Sequence, residues 1–217
     1  MNYRKLGKSD VKVTPICFGA WAIGGWMWGG TDEKAAIEAV RKAIDMGITT
    51  IDTAPAYGMG LSEELVGKAI NVPRDKVQIL TKCGLRWDTD KGEFFFKSKD
   101  NNGKPVEMRR YSGKESIIEE CENSLKRLKT DYLDLLQIHW PDHSTPISES
   151  MEAMEKLIKD GKIRAAGVSN FSKQDVKEAN HKTMVASNQL PFSMVEQKIE
   201  NNGTKQFCQE KNIGVIA

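Results

Sequence analysis

Residues 47–63 read GITTIDTAPAYGMGLSE, and this stretch indicates the fold more directly than any other part of the chain. The apolar-rich run at 48–51 predicts a buried strand that ends at Asp52. Tyr57 follows in a loop that is rich in glycine and proline. Ser62 stands where a new helix would begin, with two glutamates after it in the first turn. A strand, a polar loop and a helix in this order form one βα unit.

Two more predicted strands end in an ionisable residue. Residues 77–82 end in Lys82, and residues 133–139 end in His139. A carboxylate such as Asp52 at the end of a buried strand is costly unless a partner meets it, and these two residues are the candidates. Each of them alone is more typical of a structural role, since a lysine can extend to solvent and a histidine can belong to the core. Their joint occurrence predicts an active site at one end of a barrel.

Strand and helix signals alternate along the whole chain, which predicts βα units around a parallel sheet. The predicted fold class is α/β: a (β/α)8 TIM barrel, incomplete here, with seven parallel strands, six intervening helices and an N-terminal β-hairpin at residues 3–13. We expect one domain over residues 1–217 that lacks the last helix–strand–helix. Two sheet edges would then be unpaired, so we expect either continuation past Ala217 or a partner chain in the gap. The predicted barrel strands are residues 15–21, 48–52, 77–82, 133–139, 165–169, 185–189 and 213–217.

Helix starts are predicted where a polar cap precedes apolar residues at helical spacing. Thr31, Ser62 and Ser148 are predicted as simple caps, and capping boxes are predicted at 112–115 and 172–175. Residues from about 201 to 211 predict a further helix. One methionine-rich helical face is predicted to be core, and its members are Met151, Met154, Leu157 and Ile158.

Two loops are candidates for the rim of the site. Residues 84–111 form a long polar connection, and such connections are usually functional or disordered. Because they contain Trp87 and three phenylalanines at 94–96, part of the segment is expected to fold over the site; a rim hairpin without substrate contact is an equal alternative. Residues 24–30 are glycine-rich but do not match G-x-G-x-x-G, so we expect a flexible rim loop. The candidate substrate contacts are Trp26, Trp28, Trp87 and Trp140.

Four motifs occur in a characteristic order. They are D-T-A-x2-Y-G followed by S-E within 47–63, T-K-C-G at 81–84, D-Y-L-D-L-L-Q-I-H-W at 131–140 and G-V-S-N-F at 167–171. Together they resemble the aldo-keto reductase superfamily, in the style of its bacterial oxidoreductases and potassium-channel β-subunit branch, over essentially the whole chain. The resemblance implies a catalytic tetrad of Asp52, Tyr57, Lys82 and His139.

The resemblance also implies NADP(H), lying extended across the top of the barrel. The implied cofactor contacts are Ala20, Trp21, Asp52, Ser169, Asn170 and Gln189, with the last three around the nicotinamide carboxamide. From the residues alone, 169–171 is equally a plain strand-to-helix turn. The family's aromatic residue that stacks on the nicotinamide, and its segment that binds the 2′-phosphate, would both follow Ala217. The choice of NADP over NAD therefore rests on the resemblance alone.

The four tetrad side chains suit the reduction of a carbonyl group. A lysine ammonium near a tyrosine lowers the phenol pKa from its usual value of about 10, which eases proton transfer to a carbonyl oxygen. Asp52 would hold Lys82, and His139 would donate a hydrogen bond where negative charge develops. None of these groups supplies hydride, so a nicotinamide must. We predict NADPH-dependent reduction of an aldehyde or ketone with Tyr57 as general acid. The alternative is a non-catalytic, cofactor-sensing regulatory or binding member of the same fold.

Composition limits the other possibilities. With 32 basic and 30 acidic residues the net charge is +2, which gives no case for nucleic acid. No apolar run approaches the roughly 20 residues of a membrane span, and the N-terminal residues lack a secretion signal, so the expected location is the cytoplasm.

The four cysteines form no disulfide or zinc pattern, and Cys83 is expected to be buried and apolar rather than reactive. The pair His139 and His143 is not expected to bind metal, because Pro141 forbids a helix between them. The sequence leaves open whether the chain forms a homo-oligomer.

Overall fold

The computed structural model describes residues 2–217 as strands around which helices are packed. In chain order, the strands are β1 (Arg4–Lys5), β2 (Lys12–Val13), β3 (Phe18–Gly19), β4 (Thr50–Asp52), β5 (Gln78–Cys83), β6 (Leu85–Arg86), β7 (Glu93–Lys99), β8 (Pro105–Arg110), β9 (Leu135–Ile138), β10 (Ala166–Ser169), β11 (Val185–Gln189) and β12 (Gly214–Ile216). The helices are α1 (Glu33–Asp45), α2 (Leu61–Ala69), α3 (Lys114–Leu128), α4 (Ile147–Lys159), α5 (Lys173–Lys182), α6 (Lys198–Asn201) and α7 (Thr204–Lys211).

Seven of the strands form one sheet in the order β12-β11-β10-β9-β5-β4-β3. Every neighbouring pair in this sheet is parallel. The prediction of an α/β fold with seven parallel barrel strands is therefore confirmed, and β1 and β2 form the predicted antiparallel hairpin. Within residues 2–217, β3 and β12 each have a strand neighbour on one side only. All strand carboxyl ends consequently lie at the same end of the sheet, which is where a barrel carries its active site.

Burial on both faces explains why these strands are apolar throughout. Every residue of β4, β9 and β10 is buried, since the inner face fills the barrel and the outer face contacts helices. On the outer side, helix α1 contributes Val40 and Ile44 to the largest apolar cluster, and α4 contributes Met151, Met154 and Leu157. Ile158, which was predicted to be core, is 37% exposed and lies outside this face.

A buried ion pair fixes α2 against the sheet and α3. Glu63, fully buried in α2, accepts a hydrogen bond from Thr81 Oγ1 at 2.6 Å and one from Arg127 Nε at 2.7 Å. A buried carboxylate is tolerated when it is paired and hydrogen-bonded in this way. Because Thr81 precedes Lys82 in β5, the contact also fixes the end of that strand, where the predicted site lies.

Several predicted helix starts are wrong, because other groups compete for the polar side chains. Asp32, and not Thr31, caps α1 through a 3.0 Å bond from the amide of Ala35. Ser62 lies inside α2, where its hydroxyl donates to the carbonyl of Ala20 at 2.7 Å. A tertiary hydrogen bond has thus replaced the local cap that the sequence predicted.

Of the three remaining predicted caps, two are absent from the structure and one is present. The predicted capping box at 112–115 is absent, because α3 begins after Gly113 and the amide of Ser112 donates to Asp142 Oδ2 at 2.8 Å. Pro146, and not Ser148, precedes α4. The capping box of Ser172 and Asp175 at the start of α5 is confirmed. The helix predicted at about 201–211 is divided into α6 and α7 by a left-handed glycine, Gly203, with φ 78°.

The long segment 84–111 folds as a three-stranded antiparallel sheet in the order β6-β8-β7. We call β7, β8 and the turn between them the rim hairpin. Its inner side chains join a separate apolar cluster with Trp26, Ala56 and Trp140 rather than the main core. The segment is therefore a hairpin on the rim, and it also packs over the end of the barrel.

A membrane span is not found in the described part of the chain: none of its helices combines the necessary length with sufficient apolar character.

Candidate active site

A cavity of about 440 Å³ opens at the carboxyl ends of the parallel strands. It is bordered by the ends of β5, β10 and β11, by the loops after β4 and β9, and by the rim hairpin. Its wall is formed by Trp21, Trp26, Met27, Tyr57, Lys82, Leu85, Phe95, Phe96, His139, Trp140, Ser169, Asn170, Gln189, Leu190, Pro191 and Ala217. Three of the four predicted tetrad residues are in this wall, although they come from three separate parts of the sequence.

Lys82 is the central group of the tetrad. Its side chain is fully buried, and Nζ donates to Asp52 Oδ2 at 2.8 Å and to the carbonyl of Thr53 at 3.0 Å. The third contact joins Nζ to the hydroxyl of Tyr57 at 3.3 Å. An ammonium group has three N–H donors, so these contacts use all of them. Lys82 therefore links the carboxylate behind it to the phenol at the cavity surface.

Asp52 lies behind the cavity rather than in its wall. It ends β4 and borders a neighbouring cavity of about 450 Å³, together with residues of β3 and β12. Its Oδ2 also accepts a hydrogen bond from Gln189 Nε2 at 3.2 Å, while Oδ1 is buried without a partner among the described residues. The sequence-based inference that Lys82 meets this carboxylate agrees with the geometry.

His139 and Trp21 hold the ring of Tyr57 from two directions. The imidazole of His139 lies edge-on to the phenol, with 5.7 Å between ring centroids, and Trp21 stacks on it at 5.9 Å. The amide of His139 donates to the carbonyl of Cys83 at 2.8 Å, which fixes the backbone where β9 ends. The phenol is thus confined between rings while its hydroxyl remains at the cavity.

Burial and Lys82 together set the protonation state of His139. Burial lowers the pKa of the imidazole well below its usual value of 6.5, and the positive charge of Lys82 lowers it further. Burial also acts to lower the pKa of Lys82, but Asp52 and Tyr57 outweigh burial, so that pKa is raised. At neutral pH the site therefore combines a neutral histidine with a charged lysine.

The pKa of Tyr57 differs from the sequence-based expectation. Lys82 does lower it, as expected, but burial raises it by more, and the charge of Asp52 raises it as well. The net result is a pKa above the usual 10, so the phenol keeps its proton at neutral pH. The sequence-based expectation for the pKa of Tyr57 took account of the positive charge of Lys82 but not of the burial of the Tyr57 side chain.

Side-chain amides form the opposite end of the cavity. Asn170 follows β10 in a left-handed conformation with φ 61°, and its Nδ2 donates to the carbonyl of His139 at 3.0 Å. Gln189 at the end of β11 accepts a bond from Gln137 Nε2 at 3.1 Å. Ser169 donates to the carbonyl of Gln189 at 3.1 Å. These groups form one connected network that reaches the tetrad through Asp52.

The amide network fits a nicotinamide carboxamide. The Nδ2 atom of Asn170 is already bonded within the protein, which leaves its carbonyl oxygen to accept from a ligand amide. Trp21, which was predicted as a wall contact, lies in the cavity wall, 42% exposed. Ala20 does not reach the cavity: it is fully buried, and its amide donates to the carbonyl of Asp52 at 2.8 Å. Ala20 thus supports the strand end rather than the ligand surface.

The four tryptophans predicted as substrate contacts separate into two pairs. Trp26 and Trp140 are in the cavity wall. Trp28 is 58% exposed and packs edge-on against Trp21, outside the wall. Trp87 packs in the apolar cluster beneath the rim hairpin and does not border the cavity.

Sequence reasoning missed four apolar wall residues on the rim side: Met27, Leu85, Phe95 and Phe96. The three adjacent phenylalanines at 94–96 were the available signal, but regular alternation along a strand would not place two neighbouring side chains at the same cavity. The pairing of β7 with β8 is irregular between Phe94 and Phe96, and both Phe95 and Phe96 lie in the wall. Phe94 is 47% exposed, whereas the next two are in the wall.

No metal-ligand cluster occurs within residues 2–217: no three His, Cys, Asp or Glu side chains converge. The loop after His139 is not helical, in line with the expectation from Pro141. Burial raises the pKa of the Cys83 thiol well above its usual range, with Glu120 adding to the effect. Cys83 is buried, as predicted, and its thiol is therefore not the thiolate that a reactive cysteine requires.

The chain belongs to the Aldo/keto reductase family, whose profile matches residues 15–217. It is 46% identical over 204 residues to aldo-keto reductase YhdN of Bacillus subtilis (strain 168), covering 93% of this chain and 57% of that protein. It is 35% identical over 216 residues to the NADH-specific methylglyoxal reductase of Escherichia coli (strain K12), covering 97% of this chain and 64% of the relative. The chain thus spans about three fifths of the length of these relatives.

Solved structures show the same similarity. The glycerol dehydrogenase of Gluconobacter oxydans superposes with a TM-score of 0.84 at 39% identity, over 98% of this chain and 61% of that one. An aldo/keto reductase from Klebsiella pneumoniae in complex with NADP and acetate superposes with a TM-score of 0.75 at 32% identity, over 95% of this chain and 64% of its own. The predicted superfamily and its bacterial branch are confirmed.

Proposed function

We propose that the protein reduces an aldehyde or ketone to an alcohol with NADP(H), and that Tyr57 is the general acid. One observation carries the proposal: the hydroxyl of Tyr57 lies at the cavity, 3.3 Å from Lys82 Nζ, which itself lies 2.8 Å from Asp52 Oδ2. A protonated phenol beside a buried cation is suited to release a proton to an oxygen that is gaining negative charge.

The protein's own groups divide the work of proton transfer. The Tyr57 hydroxyl gives its proton to the carbonyl oxygen, and the Lys82 ammonium stabilises the phenolate that remains. Lys82 itself is not the acid in this proposal, because its raised pKa and three acceptors hold its protons. Neutral His139 donates a hydrogen bond to the same oxygen, and Asp52 positions Lys82.

The cofactor, when bound, supplies the hydride that reaches the carbonyl carbon. Ser169, Asn170 and Gln189 would hold its carboxamide, since their amide and hydroxyl groups form one network at the cavity. Two relatives support a nicotinamide cofactor by name: the Klebsiella pneumoniae structure contains NADP, and the Escherichia coli enzyme is described as NADH-specific. NADP(H) stays our prediction for this chain, as does a cytoplasmic location.

The names of the relatives also indicate the substrate. One is a methylglyoxal reductase and another a glycerol dehydrogenase, so both carry out the interconversion of a small carbonyl compound and its alcohol. We propose a small-molecule carbonyl compound as the substrate of this protein, with no nucleic-acid or membrane partner.

The test is to measure NADPH and NADH oxidation by the purified protein with a panel of small aldehydes, alongside a fluorescence titration of cofactor binding. Reduction of at least one aldehyde together with cofactor binding supports the proposal. Cofactor binding without turnover of any aldehyde would favour the regulatory alternative instead. Absence of both would contradict the assignment of the cavity.

A further inference from the structure

A single peptide group at the end of β5 links an outer helix to two residues of the tetrad. This group, between Cys83 and Gly84, follows Lys82 directly in the chain, and we call it the junction peptide. Its carbonyl, on Cys83, accepts a hydrogen bond from the amide of His139 at 2.8 Å. Its N–H, on Gly84, donates to both carboxylate oxygens of Glu120, at 3.1 and 3.0 Å. The orientation of the junction peptide therefore affects Lys82 through the chain and His139 through a hydrogen bond.

Glu120 is a buried carboxylate on the outer side of the parallel sheet. It lies in α3, which packs against β5 between α2 and α4, and so belongs to the middle of the sheet rather than to the edge strands β3 and β12. Besides the junction peptide, it accepts a hydrogen bond from Ser116 Oγ at 3.3 Å. Burying a carboxylate without a direct ion pair is costly, and an apolar side chain of similar size would occupy the same space at a lower cost. A role beyond packing is therefore expected for Glu120.

The backbone at Gly84 leaves the orientation of the junction peptide to its hydrogen bonds. Gly84 has a left-handed φ of 82°, and a Cβ at this position would lie 2.7 Å from Ser112 Oγ. Glycine has the widest range of φ and ψ of any residue, so sterics alone do not fix the peptide that precedes it. The carboxylate of Glu120 on one side and the amide of His139 on the other are the groups that fix it.

The cation that faces Glu120 is Arg86, and its charge is shared among acidic residues. Arg86 donates two hydrogen bonds to Asp88, at 2.7 and 3.0 Å, and one to Glu119 at 3.3 Å. Its link to Glu120 runs through Ser116, whose hydroxyl accepts from Arg86 Nη1 at 2.8 Å and donates to Glu120 Oε1 at 3.3 Å. Arg86 therefore compensates the charge of Glu120 only in part.

Burial consequently dominates the protonation of Glu120. It raises the pKa of the carboxyl group from its usual 4.5 to about 8, and the charge of Asp88 acts in the same direction. Arg86 and the amide of Gly84 lower this pKa, but by less than burial raises it. Glu120 therefore passes from neutral to charged as the pH rises through the slightly alkaline range.

Other ionisable groups face Glu120 or the junction peptide from the surrounding elements. Burial raises the pKa of Cys83 on β5 well above its usual 9 and that of Cys121 on α3 to about 12, so both thiols stay neutral. His139, whose pKa lies well below 6.5, also stays neutral, and Lys82, whose pKa is raised, stays charged. The loop after β9 contributes Asp142, which accepts a backbone amide just before α3 at 2.8 Å. The two thiols, the imidazole and the ammonium group thus keep their charge where Glu120 changes its own.

We propose that Glu120 is a positioning residue for the tetrad: as a carboxylate it holds the junction peptide, and thereby the backbones of Lys82 and His139, in place for proton transfer. The inference rests on the proposed function and adds to it a residue from outside the cavity. A charged acceptor makes a hydrogen bond roughly twice as strong as a neutral one, and it polarises the peptide so that its carbonyl binds the amide of His139 more strongly. Because a displacement of about 1 Å at a catalytic group costs on the order of 100-fold in rate, reduction should become faster as Glu120 loses its proton.

The first test observes the junction peptide by NMR and requires no substrate. The dipeptide Cys-Gly occurs once in the sequence, at 83–84, so labelling the cysteine carbonyl carbon and the glycine nitrogen gives a single signal. Ile-His also occurs once, at 138–139, and the same strategy isolates the amide of His139. We expect both amide signals to shift with a common midpoint near pH 8 in the wild type, and to stop shifting in Glu120→Gln.

Three results of the NMR titration would overturn the inference. They are a constant Gly84 signal across the alkaline range, a shift that persists in Glu120→Gln, and a shift at Gly84 without one at His139. The wild-type titration needs no variant, so it remains decisive if Glu120→Gln does not fold. If no aldehyde is reduced, the same signals still test the inference, and the lack of turnover counts against the proposed function alone.

The second test measures the rate of hydride transfer in single turnovers with NADPH and a small aldehyde between pH 6.5 and pH 9. We expect the wild-type rate to rise about 5- to 10-fold with a midpoint near pH 8, and Glu120→Gln to stay at the low rate throughout. Tyr57 keeps its proton over this range, because its pKa is raised above 10. The affinity for NADPH should change by less than about threefold, since Glu120 does not border the cavity.

Glu115→Gln is the matched control, because it removes the same charge from an exposed position of the same helix. We expect this variant to reproduce the wild-type dependence of rate on pH. If Glu120→Gln kept the wild-type rise in rate, or if Glu115→Gln abolished it as well, Glu120 would not be the positioning residue.

Discussion

Tyr57 has one neighbour that favours ionisation and an environment that opposes it. Its hydroxyl lies 3.3 Å from Lys82 Nζ, yet burial raises its pKa above the usual 10. The phenol is therefore protonated at neutral pH, and in the proposed mechanism the lysine would matter most after the proton has left. A phenol that holds its proton until a carbonyl oxygen gains negative charge is suited to act as a general acid.

Tyr57→Phe should lower kcat by about 10²–10⁴-fold, the usual contribution of a general acid. The ring and its stacking on Trp21 remain, so cofactor affinity should change by less than about threefold. Steady-state kinetics and a cofactor titration on the same preparation measure both quantities. Activity within about tenfold of the original would exclude Tyr57 as the acid.

His139 couples the site to the pH dependence of stability. Its pKa is well below 6.5 in the folded protein and near 6.5 when unfolded, so below pH 6.5 the unfolded chain binds a proton that the folded one does not. This contribution to stability is present above pH 6.5 and is lost as the pH falls. Lys82, the charged neighbour, keeps its charge throughout this range.

We expect the free energy of unfolding of the wild type, relative to His139→Gln, to fall as the pH drops below 6.5, with a limiting slope of about 1.4 kcal/mol per pH unit. Glutamine is neutral and of similar size, so the comparison removes the contributions of the other titrating groups. Urea unfolding at several pH values gives the difference. A difference that does not change with pH would mean that His139 is protonated as readily in the folded state as in the unfolded one.

At the scale of elements, the rim hairpin connects the aromatic side of the cavity, formed by Trp26, Phe95, Phe96 and Trp140, to the loop that carries Tyr57. It lies outside the parallel sheet, pairing only with β6 within the described residues. Its connection to the loops of the barrel depends on the side chains of Ser98 and Asn101. The position of these rings should consequently be sensitive to those two residues.

Asn101→Asp replaces the N–H donor with a carboxylate that faces two backbone carbonyls. We expect the KM for an aldehyde substrate to rise about 10-fold with a smaller change in kcat, because the rings of Trp26, Phe95 and Phe96 are no longer held in position at the cavity. A red shift of tryptophan emission should accompany this change as Trp26 becomes more exposed. Asn102→Asp is the control, since it adds the same charge on the same turn, where the Asn102 side chain makes no hydrogen bond to the described residues. Equal effects of both substitutions would assign the change to added charge rather than to the lost donor.

At the scale of the whole molecule, one network reaches from the amide end of the cavity to the tetrad. Gln137, Gln189, Asp52 and Lys82 are joined in series by hydrogen bonds of 3.1, 3.2 and 2.8 Å. They lie on four different strands, so a ligand held at the amide end should stabilise the whole sheet. Binding to the folded state raises apparent stability by mass action.

NADPH at 100 times its Kd should raise the midpoint of thermal unfolding by about 5–10 °C, which corresponds to about 2.7 kcal/mol in a chain of this size. Differential scanning fluorimetry measures the shift. Tyr57→Phe should retain it, whereas Asn170→Gly should reduce it at the same NADPH concentration because the carboxamide contact is lost. Glycine is chosen because it tolerates the left-handed conformation of Asn170. An undiminished shift in Asn170→Gly would remove that residue from the cofactor site.

The sequence by itself determined the parallel sheet and the convergence of the tetrad. Both follow from local patterns, since buried strands are apolar and their carboxyl ends must meet at one face. It also determined the capping box at Ser172, where within residues 2–217 the serine side chain bonds to Asp175 and to no tertiary partner.

Only the tertiary structure decided which polar groups bond to each other and which aromatic rings face the cavity. Ser62 was predicted as a cap, but it lies inside α2 and its hydroxyl donates to the carbonyl of Ala20, which is distant in sequence. The pKa of Tyr57 was predicted to fall but rises, because desolvation depends on everything packed around the ring. The aromatic side of the cavity combines Phe95 and Phe96 of the rim hairpin with Trp26, about 70 residues before them, and Trp140, about 45 residues after them. Such contacts depend on how the chain is folded, and no local pattern in the sequence encodes them.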